Sequence, residues 1–368
     1  MITALNIAGT RPNFMKIAPV HRAMTQSSEI RSVLVHTGQH YDDNMSQVFF
    51  DEFGLPEPEF ELGVGSGSHA QQTARILENI EPIMVEVRPD VVIVYGDVNS
   101  TIATAIAAAK LHIPIAHVEA GLRSFDRTMP EEINRLLTDC ISDLLFAPSQ
   151  DGVDNLIREG VSPEKIFLVG NVMIDTLRAF TRSAANLGVV EAFGLDPGGY
   201  VLVTLHRPSN VDAESELTNT AALLSDVAQL APTILVAHPR TASRLESFGL
   251  IQTLSQAGVR VSPPLGYVPF LSMMTNAGVV LTDSGGIQEE TTVLGIPCVT
   301  MRTTTERPIT ISHGTNVLAG TDRQTVLEAV RSGLTAERNP SQPPLWDGLA
   351  SQRIVRILIE KLNQSPAN

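Results

Sequence analysis

Short runs that are apolar on both faces alternate along the chain with segments whose apolar residues recur at helical spacing. Val91-Val92-Ile93-Val94 is the clearest run. A strand with one face in water would alternate, so an unbroken run predicts a parallel strand covered by helices on both faces. Strands of this kind are expected at Ala4–Ala8, Val33–Thr37, Val91–Tyr95, Ile115–Val118, Leu144–Ala147, Ile166–Leu168, Tyr200–Thr204, Ile234–Ala237, Val259–Ser262, Val279–Thr282 and Cys298–Met301. The helical segments between them imply βαβ units with right-handed crossovers. The stretches Val91–Gly121 and Val279–Arg302 share one design. Each runs strand, Asp-containing turn, Ser-bearing helix start, helix, and an Ile-Pro approach to the next strand. That similarity predicts two related α/β halves. Asn186–Gly199, with Asp196-Pro197-Gly198-Gly199, reads as a boundary region. Asn339–Leu349 is also punctuated, and beyond it Ile354, Val355, Leu358, Ile359 and Leu362 predict a terminal amphipathic helix. The expected architecture is two doubly wound parallel-sheet domains facing each other across a cleft.

Composition narrows the function. The 368 residues suffice for two or three domains with sizeable cores. The net charge of −14 disfavours a nucleic-acid coat. Only four of the 26 basic residues are Lys (16, 110, 165 and 361), so the positive charges are mostly planar forks suited to carboxylate or phosphate. Cys140 and Cys298 have no second Cys or close His at ligand spacing, which excludes a disulfide framework and a zinc ribbon; both are expected to be buried. The first apolar run has no basic segment before it and is cut short by Gly9-Thr10-Arg11-Pro12, so it predicts a strand and not a signal peptide. Lys110, His112, Pro114 and His117 interrupt the long apolar stretch from Ile102 to Val118, so no transmembrane helix is expected and a cytoplasmic location follows.

In open parallel sheets ligands bind beyond the carboxyl ends of the strands. At those ends stand Arg11 and Lys16 after the first strand, Asp97 before a helix expected to be capped by Asn99 or Ser100, and Glu119 after the next strand. Glu131 and Arg135 follow at i, i+4 spacing on a helix opened by Pro130. Three acids near strand ends suggest proton transfer, with crowding able to keep one of them protonated near neutral pH. Metal binding by the same acids is the competing reading, although their spacing matches no standard metal motif. In the second half His206-Arg207, His238 and Asp283-Ser284-Gly285-Gly286 follow strands, and the Gly-rich helix start suits a phosphate. Glu289 and Glu290, one turn along, suit ribose hydroxyls, and Arg307 lies past a further strand.

Taken in order, GTRPNFMKIAP, TGQHYD, YGDVNST, HVEAGLRSFDRTMPEEINR, TLHRPSN, LTDSGGIQEE and TTERP resemble the non-hydrolysing UDP-N-acetylglucosamine 2-epimerase family. The resemblance runs from Ala8 to Pro308. It implies the glycosyltransferase-B architecture of two Rossmann-like domains, with residues 1–173 plus 351–368 as the sugar-side domain, carrying a returning C-terminal helix, and 174–350 as the UDP-side domain. It implies reversible C2 epimerisation of UDP-GlcNAc to UDP-ManNAc through loss of UDP to a 2-acetamidoglucal. The implied acid/base residues are Asp97, Glu119, Glu131 and His206. The implied diphosphate contacts are Arg11, Lys16, His206 and Arg307, and the uridine side matches Phe270, Ser284, Gly285, Gly286 and Glu290. Gln39, His40 and His238 match parts of a family regulatory site, from which Tyr41-Asp42 depart. Asn13, Ser209 and Leu265 also stand where many relatives carry other residues. No metal or redox cofactor is implied. A homodimer, with a UDP-sugar as the ligand, is expected.

Overall fold

The computed structural model describes residues 1–38, 50 and 52–364, with the side chains of Arg11 and Pro12 outside that description. The chain divides into two compact units, Met1–Thr176 with Pro344–Asn368, and Leu177–Pro343. Each is built around one parallel sheet. The first contains β1 (Ile2–Ala8), β2 (Ile30–His36), β3 (Phe60–Glu61), β4 (Val91–Tyr95), β5 (Ile115–Val118), β6 (Leu144–Ala147) and β7 (Ile166–Leu168), in the order β3-β2-β1-β4-β5-β6-β7. The second contains β8 (Val201–Thr204), β9 (Thr233–Val236), β10 (Val259–Ser262), β11 (Val279–Thr282), β12 (Cys298–Thr300) and β13 (Asn316–Leu318), in the order β10-β9-β8-β11-β12-β13. Every pairing in both sheets is parallel. Strand order reverses beside β1 in one unit and beside β8 in the other, where a doubly wound sheet opens its ligand crevice.

The apolar runs account for this arrangement. All five residues of β4 are buried. Val92 and Val94 pack with Leu5, Ile7, Val33 and Val35 against Ile80 and Met84, and against Ala105 and Ala108 of the helix Asn99–Lys110. Small Ala side chains let that helix lie close to the sheet, and Ala is also the strongest helix former. In the second unit Val201, Val203, Val279 and Leu281 pack with Leu217, Leu224, Val326 and Val330.

Two strands escape the hydrophobic pattern. β3 is a partly exposed two-residue edge, too short to show a period. β13 opens on buried Asn316, whose amide donates to Gln288 and whose carbonyl accepts from Thr300 Oγ1. A buried polar network there replaces the apolar residue that a pattern search requires.

The chain returns to the first unit near its end. Trp346, 1% exposed, donates its indole N–H to the Pro148 carbonyl at 2.9 Å. The Asp175 carboxylate accepts from the Ala350 and Ser351 amides, opening the helix Ala350–Gln364, which packs on the helix Arg11–Thr25. Cys298 is buried as expected, but Cys140 is exposed. The helix Pro130–Ile141 turns Thr138 and Asp139 inward and leaves Leu137 and Cys140 outside. Among the described residues no helix is long and apolar enough to cross a membrane.

Candidate functional site

In the first unit the order β1-β4-β5 brings three of the sequence motifs side by side. Tyr95 pairs with Val118, so Asp97 and Glu119 follow the ends of neighbouring strands. The helix after β1 begins at Arg11 and carries Lys16 one turn in. Each of these two acids meets a cation. Lys16 Nζ stands 2.7 Å from Glu119 Oε2, with side chains 8% and 4% exposed. Arg135 reaches Asp97 Oδ2 at 2.6 Å through one nitrogen and Glu132 Oε2 at 2.7 Å through the other. Arg135 therefore pairs with Glu132 at i, i+3 and with Asp97. Glu131 stays partly exposed in the first turn of its helix.

The supporting residues explain why the loops hold these shapes. Asn134 donates to the Asp97 carbonyl at 2.8 Å. The helix after Asp97 starts at Asn99 with Val98 at its cap, so neither Asn99 nor Ser100 caps it. Ser100 instead shares a hydrogen bond with Thr37 at 2.8 Å. Asn13 accepts from the Gly9 and Thr10 amides and donates to the Tyr95 carbonyl, tying the turn after β1 to β4. Gly96 has φ +63, and a Cβ there would stand 2.7 Å from Lys16 Nζ. Glu119 itself adopts φ +76. That left-handed conformation costs a non-glycine residue roughly 1–3 kcal/mol and is held only where neighbours over-determine it. Glu132 supplies a further scaffold: its carboxylate accepts from the Ser124 amide and hydroxyl and from the Phe125 amide.

In the second unit the order β9-β8-β11 gathers His238, His206 and Asp283. Asp283 is buried and does not cap the helix Gly285–Leu294, whose cap position is Ser284. Its carboxylate accepts from the His206 and Arg207 amides and from Asn210, and lies 3.1 Å from His206 Nδ1. Burial pushes this carboxyl up, but the His206 and Asn210 hydrogen bonds outweigh that and hold it below the usual range. The His206 and His238 rings lie 5.5 Å apart, and His238 Nδ1 accepts from the Arg240 amide. Arg307 meets Glu289 at 2.8 Å and Glu306 at 2.5 Å, and Arg302 meets Glu306 at 2.7 Å. A Cβ at Gly285 would stand 2.5 Å from Arg307, so Gly285 lets this Arg lie against the start of the helix. Glu290 accepts from the Tyr267 hydroxyl at 2.8 Å, and Phe270 is partly buried on the helix Tyr267–Asn276.

Gln39, His40 and the Arg11 side chain lie outside the described residues. Sequence reasoning missed Glu132, Arg302 and Glu306 as scaffold, and Arg135 as the partner of Asp97. An i, i+3 Glu–Arg spacing is a detectable sign of the first pair. Their partners on other elements leave no sequence period. Among the described residues no group of three His, Cys, Asp or Glu side chains is placed to hold a metal ion.

Known proteins resemble this chain in sequence and in fold. A sequence model of UDP-N-acetylglucosamine 2-epimerase matches residues 22–359. The UDP-N-acetylglucosamine 2-epimerase of Methanocaldococcus jannaschii is 44% identical over 358 residues, 96% of this chain and 97% of its own. The UDP-2,3-diacetamido-2,3-dideoxy-D-glucuronate 2-epimerase of Pseudomonas aeruginosa is 42% identical, over 96% of this chain and 98% of its own. The crystal structure of the M. jannaschii enzyme in complex with UDP-GlcNAc and UDP superposes with a TM-score of 0.90, covering 98% of this chain and 100% of that one. With the family model matching residues 22–359 and a relative 44% identical over nearly its full length, the chain belongs to the UDP-N-acetylglucosamine 2-epimerase family.

Proposed function

We propose that the protein interconverts UDP-GlcNAc and UDP-ManNAc. The observation that carries the reading is the pair of acids, Asp97 and Glu119, at neighbouring strand ends in a family whose M. jannaschii member was crystallised with UDP-GlcNAc and UDP. In this reading the C1–O bond breaks with its electron pair leaving on UDP, and the C2 proton passes to a carboxylate. The product is a 2-acetamidoglucal. Return of a proton to the other face of C2 and of UDP to C1 completes the epimerisation. Asp97, Glu119, Glu131 and His206 are the candidate proton carriers. Arg11, Lys16, His206 and Arg307 are assigned to the diphosphate, and Phe270, Ser284, Gly285, Gly286 and Glu290 to the uridine. Carboxylates beside C1 stabilise the positive charge that builds as UDP departs, and the Arg forks stabilise the charge on the diphosphate.

The 42% identity to the P. aeruginosa enzyme favours a second sugar, the diacetamido uronate, as the alternative substrate. Incubation of each UDP-sugar with the protein in D2O, followed by NMR, separates the two. Deuterium is expected at C2 of UDP-GlcNAc, with UDP-ManNAc appearing. Exchange only into the uronate moves the assignment to that sugar, and exchange into neither rejects the reading. Free hexosamine with stoichiometric UDP would instead mark hydrolysis. The family resemblance also supports a cytoplasmic homodimer, which light scattering of the purified protein tests for its mass.

A further inference from the structure

His117 lies on β5 two residues before Glu119 and is fully buried. Both its ring nitrogens meet hydrogen-bond partners. Nε2 is 2.8 Å from the Gly96 carbonyl oxygen, the residue before Asp97. Nδ1 is 2.6 Å from Asp139 Oδ1. A carbonyl only accepts, so Nε2 carries a proton. The other oxygen of Asp139 accepts from the Gly121 amide at 3.0 Å and meets Arg123 at 2.7 Å. Arg123 continues to Glu159 at 2.6 Å. A neutral Asp139 sharing its proton with a neutral ring would leave Arg123 facing an uncharged acid and surrender a charge-assisted bond. Both ring nitrogens face acceptors, so both donate: Nε2 to the Gly96 carbonyl and Nδ1 to the Asp139 carboxylate, which keeps its charge for Arg123.

We infer that His117 is a positioning residue that donates from both ring nitrogens, is clamped by Asp139, and joins the loop bearing Asp97 to the loop bearing Glu119. The geometry makes one unit of them. The ring holds the Gly96 carbonyl, and the same carboxylate that holds the ring holds the Gly121 amide. Gly96 and Gly121 are the left-handed glycines at which these two loops leave their strands. His117 touches no reacting atom in this arrangement. It sets where the two acids stand and acts through them.

The effect on turnover rests on the epimerase reading, but the charge on the ring does not, so the two are tested separately. The first measurement is 15N NMR of the histidine rings in the full-length wild-type protein, with His117 assigned by its loss in His117→Gln. At the pH of the turnover assay both His117 ring nitrogens are expected to carry a proton, one donated to the Gly96 carbonyl and one to Asp139. A neutral ring with one bare nitrogen overturns the inference, whatever the protein catalyses. The Asp139→Asn variant can keep every hydrogen bond, its amide donating to a neutral Nδ1 and its carbonyl accepting from Gly121 and Arg123. This variant is expected to fold and to show the neutral ring. The second measurement is turnover. His117→Gln is expected to lower kcat on the order of 10²-fold, the cost of a misplacement of about 1 Å, with KM nearly unchanged. A loss confined to KM, or no loss in a folded variant, overturns the positioning role. If the wild type turns over no UDP-sugar, the epimerase reading fails and the NMR result still decides the state of His117.

Discussion

Lys16→Met tests how the first unit holds its buried acid. Lys16 and Glu119 are 2.7 Å apart, and both side chains are less than a tenth exposed. Solvent screening is therefore slight, and the pair behaves as a buried salt bridge. Met keeps most of the apolar length of Lys and removes the charge that faces Glu119 in its left-handed loop. Breaking a buried pair from one side costs about 3–5 kcal/mol. With a urea m-value of about 2.5 kcal/mol/M, the unfolding midpoint of this unit should fall by roughly 1–2 M. The assay is unusually selective. The chain has one Trp, and Trp346 is buried against Pro148 in the same unit, so its fluorescence in urea reports that unit alone. The double variant Lys16→Met/Glu119→Gln removes both charges and should recover about half of the loss or more. A single variant within about 0.5 kcal/mol of wild type refutes the reasoning, as does a double variant no more stable than the single.

Three further outcomes follow from the same geometry. Gly121→Ala places a Cβ against the Gly152 carbonyl in a loop at φ +81, so thermal unfolding should show a loss of about 2–5 kcal/mol from strain and overpacking. Arg135→Lys keeps the charge but loses the fork that spans Asp97 and Glu132; turnover should drop on the order of 10²-fold with the circular dichroism spectrum unchanged. Asp283 is held below the usual carboxylate range, so its stabilisation is complete above the unfolded value of about 3.9 and drains as pH falls through the native value. Asp283→Asn should destabilise the second unit at neutral pH, and the gap to wild type should close below about pH 4, as read by hydrogen exchange.

The fold was legible because its signal is local. Val91-Val92-Ile93-Val94 is apolar on both faces whatever lies beside it, and only a strand covered by helices buries both. The same holds for Val279–Thr282, and for the last helix with its stripe from Ile354 to Leu358. The motif positions were legible too, since Asp97, Glu119 and Asp283 directly follow such runs. What the sequence left open is which charge meets which. Lys16 is 103 residues from Glu119 and Arg135 is 38 from Asp97, so no spacing links them. The strand order β1-β4-β5 creates those pairs, together with the positive φ of Glu119 and the clamp of His117 by Asp139. Hydrophobic periodicity is decided within a few residues, but a hydrogen bond between side chains on different strands exists only once the sheet has assembled. The sequence by itself determined the layers and the ends where chemistry sits. The tertiary structure alone decided the partners of each acid, because a buried charge must find a counter-charge wherever the fold brings one.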